Sequence, residues 1–366
     1  MYLCTLLINM KRRNIIVTIA AFAVVSLTAL AVWSQNSGSL KKGDSAYLDN
    51  TPKIALAYVE SNRKGIPDPD MFTHLIYAFT EFNDTNDGVV VDNPGKMRQM
   101  SDLKRQNPAL KVMLGVGGYK REGFSEMARD KKKRKAFIAN IKSLIKEYDL
   151  DGVDLDWEFP TTEAGGHTAS PKDDRNYVTL VKELRKALGK DKWISYYSNN
   201  SASFIDHRGM LPYVDYVHVS GYNLFVPKDS EKKSYHQSAL YPSEKTGSWC
   251  VMKSVERHLD QGVPPEKILL GIPFFGRGKT PFPTYLDCRL FARYAGDLKP
   301  VWDEKSQAPY YADRDGNLVM GFDDERSIKA KFDFIRANNI PGVFVWNYDS
   351  DFDDHRLGKT IQTLRK

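Results

Sequence analysis

The chain has 366 residues, of which 42% are hydrophobic and 12% are aromatic, and it contains no low-complexity tract. This is ample for a sizeable core, built either as one large α/β barrel or as two smaller domains. Of the formal net charge of +7, three positive charges lie at Lys11, Arg12 and Arg13 in a segment without acids, which leaves +4 for the remainder. The remaining basic residues are scattered, so no nucleic-acid partner is expected.

The N-terminal segment has the layout of an export signal. Its three basic residues precede an uncharged apolar stretch at residues 15–32, in which residues 29–31 (Ala-Leu-Ala) resemble a signal-peptidase site. We expect residues 1–33 to be a cleaved leader, with an uncleaved membrane anchor as the alternative, because 18 apolar residues can just span a bilayer. Either way the folded part is predicted outside the cytoplasm, as a secreted, periplasmic or membrane-anchored protein. Residues 34–51, rich in Ser, Gly, Lys and Asn, are typical of a linker.

Short apolar runs recur after residue 52 and predict eight β-strands. They are Ile54–Tyr58, His74–Phe79, Lys111–Gly115, Gly152–Asp156, Trp193–Tyr197, Tyr216–Ser220, Ile268–Pro273 and Gly342–Trp346. Longer amphipathic segments between them predict helices. These are Phe124–Glu147, Lys172–Leu188, Ser243–Gln261, Glu325–Ala337 and, at the end of the chain, Asp353–Leu364. Eight strands, each followed by a crossover, favour an α/β fold of the (β/α)8 TIM-barrel type over residues 52–366.

Two long connections follow the sixth and seventh strands, at residues 223–244 and 277–324. Residues 313–317 (Asp-Arg-Asp-Gly-Asn) precede the apolar run 319–322, an arrangement typical of a β-hairpin rather than of a metal loop. We therefore predict a short insertion between strands 7 and 8 that forms a small wall of the cleft.

The strongest indication of a catalytic site is the acidic run that begins at Asp151 and ends the fourth predicted strand. Asp154, Asp156 and Glu158 alternate with large apolar residues, so in a strand the three carboxylates share one face. Three like charges on one face of a buried strand are costly, and one carboxyl should keep its proton near neutral pH, as a general acid must. A solvated surface strand fits the apolar neighbours poorly, and a calcium loop would need its glycine sixth, whereas Gly152 stands second.

In such barrels the chemistry lies where strands end and βα loops begin. The predicted strand ends carry further residues that we expect to line this mouth and bind substrate. They are Tyr58, Phe79, Gly118, Tyr222, Asn223, Arg277 and Trp346. For Tyr58 and Trp346 the alternative is a place in the barrel core.

These motifs, in this order, resemble glycoside hydrolase family 18, the chitinases and their relatives. The acidic run matches the DxxDxDxE signature of the family. Residues 77–79, 114–118, 270–277 and 342–346 are similar to its second, third (SxGG), seventh and eighth strand motifs. The resemblance covers almost the whole chain after the linker and implies the TIM barrel argued above.

The resemblance implies a retaining, substrate-assisted hydrolysis of β-1,4-linked N-acetylglucosamine, in chitin or its oligomers, without metal or cofactor. Glu158 would be the general acid, and the acetamido oxygen of the sugar would attack its own anomeric carbon. Asp156 would accept a hydrogen bond from the acetamido N–H, and Asp154 would share a proton with Asp156. Tyr222 would hydrogen-bond the acetamido oxygen, and Trp346 would form the floor of the pocket beneath the reacting sugar. Asp151 would lie on the opposite face of the strand from the other three carboxylates and would have a structural role.

The sequence departs from the family pattern in two of these motifs. Gly115 replaces the SxGG serine, and the sixth-strand MxYD motif carries Ser220 and Asn223 for its Met and Asp. Loss of a negative neighbour should lower the pKa of Glu158 relative to the family pattern, so activity should fall earlier on the alkaline side while the acidic limb stays unchanged.

Other readings of the same residues stay open. One is an endo-β-N-acetylglucosaminidase acting on N-glycans or cell-wall glycans, and another is a non-catalytic chitin-binding lectin on this fold. The short insertion favours an open cleft and endo or short-oligomer cleavage. Four loop aromatics could stack on sugars or simply pack within the loops: Phe225, Tyr235, Tyr241 and Trp249. No protein partner is implied, and the sequence does not decide whether Cys250 and Cys288 pair.

Overall fold

Eight parallel strands close into a barrel in the computed structural model, which describes residues 40–42, 52–231 and 233–366. The barrel strands are β1 (Ile54–Glu60), β2 (His74–Phe82), β4 (Lys111–Gly117), β5 (Gly152–Asp156), β6 (Trp193–Ser198), β7 (Tyr216–Val219), β8 (Ile268–Pro273) and β14 (Gly342–Trp346). Their order is β1-β14-β8-β7-β6-β5-β4-β2, and the pairing of β1 with β2 closes the ring. A two-residue strand, β3 (Val89–Val90), pairs with the end of β2. All eight predicted strands and the TIM-barrel fold are confirmed.

The barrel strands are apolar along nearly their whole length because both of their faces are covered. In β8 all six residues are buried, and in β1 only the last residue, Glu60, is partly exposed. One face contacts the barrel interior and the other contacts the surrounding helices, so the strands show no polar alternation except where function or hydrogen bonding requires it.

The helices of the described residues surround this barrel. They are α1 (Pro94–Asp102), α2 (Phe124–Arg129), α3 (Lys131–Glu147), α4 (Asp173–Leu188), α5 (His207–Met210), α6 (Val251–Asp260), α7 (Phe291–Ala295), α8 (Glu325–Ala337) and α9 (Arg356–Leu364). Short 3-10 turns are at Leu103–Arg105, Glu163–Gly165, Pro265–Lys267, Cys288–Leu290 and Tyr348–Ser350. The predicted helices Lys172–Leu188, Glu325–Ala337 and Asp353–Leu364 correspond to α4, α8 and α9.

The segment predicted as one helix over Phe124–Glu147 is two helices, α2 and α3. The break is at Asp130, whose backbone is extended and whose carboxylate accepts hydrogen bonds from the N–H groups of Lys132 and Lys133. An aspartate in this position caps a new helix instead of continuing the previous one. The apolar periodicity runs across the break, which is why the pattern predicted a single helix.

The segment predicted as a helix from Ser243 begins its helix only at Val251. Ser243 and Thr246 exchange hydrogen bonds through the threonine hydroxyl, and Gly247 has a φ of +58°. Hydroxyl side chains that bind nearby backbone groups favour turns over helix, so residues 243–250 form a loop.

The insertion between β8 and β14 contains a five-stranded antiparallel sheet. Its strands are β9 (Phe275–Gly278), β10 (Leu286–Asp287), β11 (Pro300–Asp303), β12 (Ala308–Ala312) and β13 (Leu318–Gly321), in the order β10-β9-β13-β12-β11. The predicted hairpin is β12 and β13, joined by a turn in which the Asp313 carboxylate accepts from the N–H groups of Asp315 and Asn317. The other three strands were not predicted, because they are only two to four residues long.

Most of the N-terminal predictions lie outside the described residues: the leader at 1–33 and the linker at 34–51 apart from residues 40–42. The described residues from Lys42 to Lys366 belong to one compact unit. No helix in the described ranges is long and apolar enough to cross a membrane. Within the same ranges Cys250 and Cys288 are both buried and unpaired, which answers the question that the sequence left open.

Candidate active site

The acidic run lies at the carboxyl end of β5 with the parity that the sequence predicts. Asp154 and Asp156 are 0% and 4% exposed, and Glu158, just beyond the strand, is partly exposed. On the other face, Trp157 stacks on Phe124 of α2 at 5.1 Å between ring centroids. The carboxylates therefore point into the barrel mouth while the apolar residues anchor the strand to the helices.

Asp154 is the centre of a buried hydrogen-bond network. Tyr58 Oη donates to its Oδ2 at 2.7 Å, and Ser195 Oγ donates to its Oδ1 at 2.7 Å. His218 Nδ1 lies 3.3 Å from Oδ1 and 2.8 Å from Tyr58 Oη. The two hydroxyl donors and the histidine fix the orientation of the Asp154 carboxyl inside the barrel.

The sequence reasoning missed two members of this network, Ser195 and His218. Ser195 lies directly opposite Asp154 in the register of β5 and β6. His218 is a fully buried polar residue in an otherwise apolar strand. A polar side chain inside a buried barrel strand is a usable signal, since it must find a partner in the interior.

Asp156 and Glu158 form a coupled pair of carboxyls. Burial raises the pKa of Asp156 well above its usual range, and the charges of Glu158 and Asp154 and a hydrogen bond to Glu158 raise it further. Burial also raises the pKa of Glu158 to about 7, against a lowering by its hydrogen bond with Asp156. The pair therefore keeps protons in the neutral pH range, where an ordinary carboxyl has lost its own.

Aromatic rings form the floor of the mouth. Trp346 is partly exposed and stacks on Phe79 at 5.7 Å and 17°, while Tyr58 lies 5.5 Å from Trp346. The peptide bonds before Phe79 and after Trp346 are cis. Tyr222 is buried beside the site and packs edge-on to Phe344 at 6.0 Å. Tyr58 is thus buried in the core with its hydroxyl on Asp154, while Trp346 remains partly exposed beside Phe79.

Comparison with known proteins identifies this arrangement. The sequence profile of the glycosyl hydrolases family 18 matches residues 53–351. The chain belongs to glycoside hydrolase family 18. It is 28% identical to the probable chitinase 2 of Drosophila melanogaster over 333 residues, which cover 78% of this chain and 67% of the relative.

Solved structures agree with this assignment. The chitinase ChiW from Paenibacillus sp. str. FPU-7 is similar with a TM-score of 0.77 and 26% identity, over 85% of this chain and 42% of ChiW. A family 18 N-acetylglucosaminidase from Paenibacillus barengoltzii is similar with a TM-score of 0.75 and 27% identity, over 85% of this chain and 99% of that enzyme. The chain is a glycoside hydrolase of the chitinase-like type.

The glycine that replaces the serine of the family 18 SxGG motif has a steric reason. A Cβ at Gly115 would lie 2.5 Å from the carbonyl oxygen of Tyr77, so no side chain fits there. Gly115 and Ser195 are the two residues opposite Asp154 in the neighbouring strands. Ser195 of β6 supplies a hydroxyl beside Asp154.

Gly118 brings the end of β4 against β5. Its N–H donates to the carbonyl oxygen of Asp156 at 2.8 Å, its φ is +99°, and a Cβ would lie 2.8 Å from the ring of Phe79. Glycine accepts this positive φ without strain. The predicted Gly118 thus shapes the pocket floor through its backbone.

Asn223 and Arg277 contact each other at the rim. Arg277 Nε donates to Asn223 Oδ1 at 2.8 Å, and the backbone N–H of Asn223 donates to Gln237 Oε1 at 3.1 Å. The two predicted residues therefore lie together: Asn223 directly follows Tyr222 in the chain, and Arg277 lies on β9, at the start of the inserted sheet.

Asp151 lies at the opposite end of the barrel from the site. Its carboxylate accepts from the backbone N–H of Val112 at 2.9 Å and pairs with Lys104 at 3.2 Å and Lys111 at 3.3 Å. These contacts tie the entry of β5 to β4, far from the mouth.

The loop aromatics divide into two groups. Tyr241 is buried and packs edge-on to Phe334 of α8, which is loop packing. Phe225 and Tyr235 are partly exposed and contact each other at 5.2 Å, and Trp249 lies beneath the guanidinium of Arg257. Sequence reasoning missed four exposed aromatics that follow barrel strands or lie in the insertion: Tyr119, Phe204, Tyr285 and Tyr294.

Proposed function

We propose that the protein hydrolyses β-1,4-linked N-acetylglucosamine with retention of configuration, by substrate-assisted catalysis with Glu158 as the general acid. The observation that carries the proposal is the pair at the end of β5. Glu158 is partly exposed with a pKa raised to about 7, and it lies above a buried Asp156 whose pKa is raised well above its usual range.

In the first step Glu158 gives its proton to the glycosidic oxygen as the bond from that oxygen to the anomeric carbon breaks. The acetamido carbonyl oxygen of the same sugar forms a new bond to the anomeric carbon, which gives an oxazolinium ion. In the second step water attacks the anomeric carbon, Glu158 takes the proton of that water, and the acetamido group is restored. The nucleophile is already attached to the substrate, so it acts at a high effective concentration.

The state of the two aspartates supports a nucleophile from the substrate. A carboxyl that holds its proton is a poor nucleophile, and burial raises the pKa of Asp156 well above its usual range, which favours its protonated form. Asp154 is fully buried, and two hydroxyl groups occupy its oxygens. Neither residue is therefore suited to attack an anomeric carbon.

Asp156 is better suited to hold the acetamido group. Its Oδ1 is buried and has no hydrogen-bond partner among the described residues, so the acetamido N–H of the substrate would satisfy it. The carboxyl groups of Asp156 and Asp154 would stabilise positive charge that develops on the oxazolinium ring. Tyr222 would donate to the acetamido oxygen, and Trp346 would stack on the apolar face of the sugar.

The similarity to the chitinases favours chitin or chitooligosaccharides as substrates. The P. barengoltzii enzyme, which aligns over nearly its whole length, favours a second candidate, an N-acetylglucosaminidase that removes single sugars. We propose that the enzyme meets either substrate outside the cytoplasm, on the strength of the leader-like pattern at residues 1–33.

The test is hydrolysis of N-acetylglucosamine oligomers by the full chain and by Glu158→Gln, with products separated by size and anomer. Turnover that disappears in the variant, with β-anomers formed first, supports the proposal. A ladder of oligomers indicates internal cleavage, and early monosaccharide indicates the second candidate. Binding without turnover would instead favour a lectin.

A further inference from the structure

Arg277 is a cation at the cleft rim without an acidic partner. It lies on β9 and is partly exposed, and no ion pair among residues 52–231 and 233–366 includes it. The nearby Arg63, by contrast, pairs with Glu60 at 3.2 Å and with Asp287 at 3.3 Å. Arg277 has the Asn223 side-chain oxygen and, at 3.5 Å, the carbonyl oxygen of Thr284 as its neutral acceptors.

The guanidinium is held in one orientation. Its Nε donates to Asn223, which Gln237 positions through the Asn223 backbone N–H. Gln237 is fully buried, and its own amide donates to the carbonyl oxygen of Phe275 at 3.1 Å. This chain of neutral groups orients the positive charge without cancelling it.

Aromatic faces cover the other sides of the group. The Arg277 guanidinium lies 5.3 Å from the ring centroid of Phe275 and 5.1 Å from that of Tyr285. These rings partly remove the cation from water, and burial lowers the pKa of Arg277 accordingly. A cation that is partly desolvated and lacks a carboxylate gains strongly from an anion that binds its open edge.

Arg277 lies beside the predicted acetamido pocket, because Phe275, whose ring contacts its guanidinium, packs edge-on to Tyr222 at 5.6 Å between ring centroids. The charges of Glu158, Asp156 and Arg277 all act on the buried Tyr197, so the three groups lie near one another. Asn223 follows Tyr222, the residue that would hold the reacting acetamido group. An anion on Arg277 would therefore belong to the reacting sugar or to the ring beside it.

From these contacts we propose that Arg277 is a carboxylate-binding subsite, and that the preferred substrate is an acetamido-sugar chain bearing a carboxylate on a ring at or beside the cleavage point. A carboxylate matches the fork of guanidinium N–H groups, whereas a sugar hydroxyl leaves the charge unbalanced. This inference rests on the proposed glycosidase function and specifies its substrate class.

Two soluble polymers make the test, because they differ in charge and little else: 6-O-carboxymethyl chitin and the neutral glycol chitin, matched for length and degree of substitution. We measure kcat/KM for each with the full chain. The expected ratio favours the carboxymethyl polymer by about tenfold or more, the usual value of a hydrogen bond to a charged partner.

Two variants remove the subsite in different ways. Arg277→Gln removes the cation, and Asn223→Asp keeps it but supplies an internal carboxylate. Both should bring the ratio close to one, and Arg121→Gln, which removes an exposed cation paired with Glu81, should leave it unchanged. A ratio near one in the unaltered protein, or a ratio that both site variants leave unchanged, overturns the proposal.

A binding measurement separates this proposal from the proposed function. Glu158→Gln is titrated with carboxymethylated and neutral oligomers, with and without Arg277→Gln. If neither polymer is cleaved, the proposed function fails, while a charge preference that depends on Arg277 still supports the subsite. Equal binding of both oligomers, or binding of neither, overturns the subsite as well.

Discussion

Lys331 and Asp323 form a fully buried ion pair beneath the inserted sheet, and its loss should be severely destabilising. Both side chains are 0% exposed, and Lys331 Nζ lies 2.6 Å from Asp323 Oδ2 and 2.5 Å from Ser238 Oγ. The substitution Lys331→Met keeps much of the apolar stem and removes the charge. Asp323 is then left buried without a cation.

The magnitude follows from the proton that Asp323 must take up. Holding a carboxyl neutral at pH 7 instead of letting it ionise near its ordinary pKa of about 3.9 costs about 1.36 kcal/mol per pH unit, or about 4 kcal/mol. This agrees with the roughly 3–5 kcal/mol expected when one partner of a buried pair is removed. The unfolded chain loses that proton as pH rises, so the deficit of the variant should shrink as pH falls towards about 4.

Urea unfolding at pH 7 and pH 4.5, followed by circular dichroism, measures the effect. The matched control is Lys329→Met on the same helix, because the Lys329–Asp333 pair is 62% and 25% exposed and should contribute less than about 1 kcal/mol. The reasoning is refuted if Lys331→Met lowers the free energy of unfolding no more than Lys329→Met does, or if its deficit grows at the lower pH.

Further predictions concern the site and the cysteines. Glu158→Gln should lower kcat at least about 100-fold while the melting temperature stays unchanged, since the acid is lost and the fold is not. The alkaline limb of kcat/KM should fall above about pH 7, because the raised pKa of Glu158 means that its proton is lost there. Asn223→Asp should shift this fall in activity to higher pH, because a new negative charge near Glu158 raises its pKa. The shift should be less than about one pH unit, since the new carboxylate would lie against the Arg277 cation. An unchanged pH profile would contradict this. Gly118→Ala should cost about 1–3 kcal/mol in urea unfolding, because alanine is strained at a φ of +99°. Cys250 and Cys288 should not react with a thiol reagent until the protein unfolds, because both are buried and their pKa values are raised; rapid reaction of either would contradict it.

The sequence predicted the parts of the molecule in which one local pattern has a single structural solution. The alternation around Asp154 and Asp156 fits only a strand with one acidic face, so β5 was predicted with the bounds that it has. The break at Asp130 was missed because the apolar period crosses it without interruption. The hydrogen bonds of the Asp130 carboxylate show that it caps a new helix, whereas the spacing of the apolar residues in the sequence does not.

Other parts depend on which strands become neighbours, and no local pattern contains that information. Ser195 and Asp154 are 41 residues apart in the chain, yet they are adjacent in the register of β5 and β6. The contact of Asn223 with Arg277 spans 54 residues and needs the inserted sheet to begin at β9. The residue types at the site could thus be predicted, while their hydrogen-bond partners had to come from the fold.

The junction between β8 and β9 has a mechanical consequence. Only Phe274 separates the two strands, and its N–H donates to the carbonyl oxygen of Trp346 at 2.8 Å. The strand that bears Arg277, β9, thus directly continues a barrel strand, and it also pairs with β13 of the inserted sheet. This wall of the cleft is therefore rigid, and binding a glycan here does not require the wall to become ordered. Differences in affinity among glycans should then reflect their contacts with the wall, not the free energy of a closing motion.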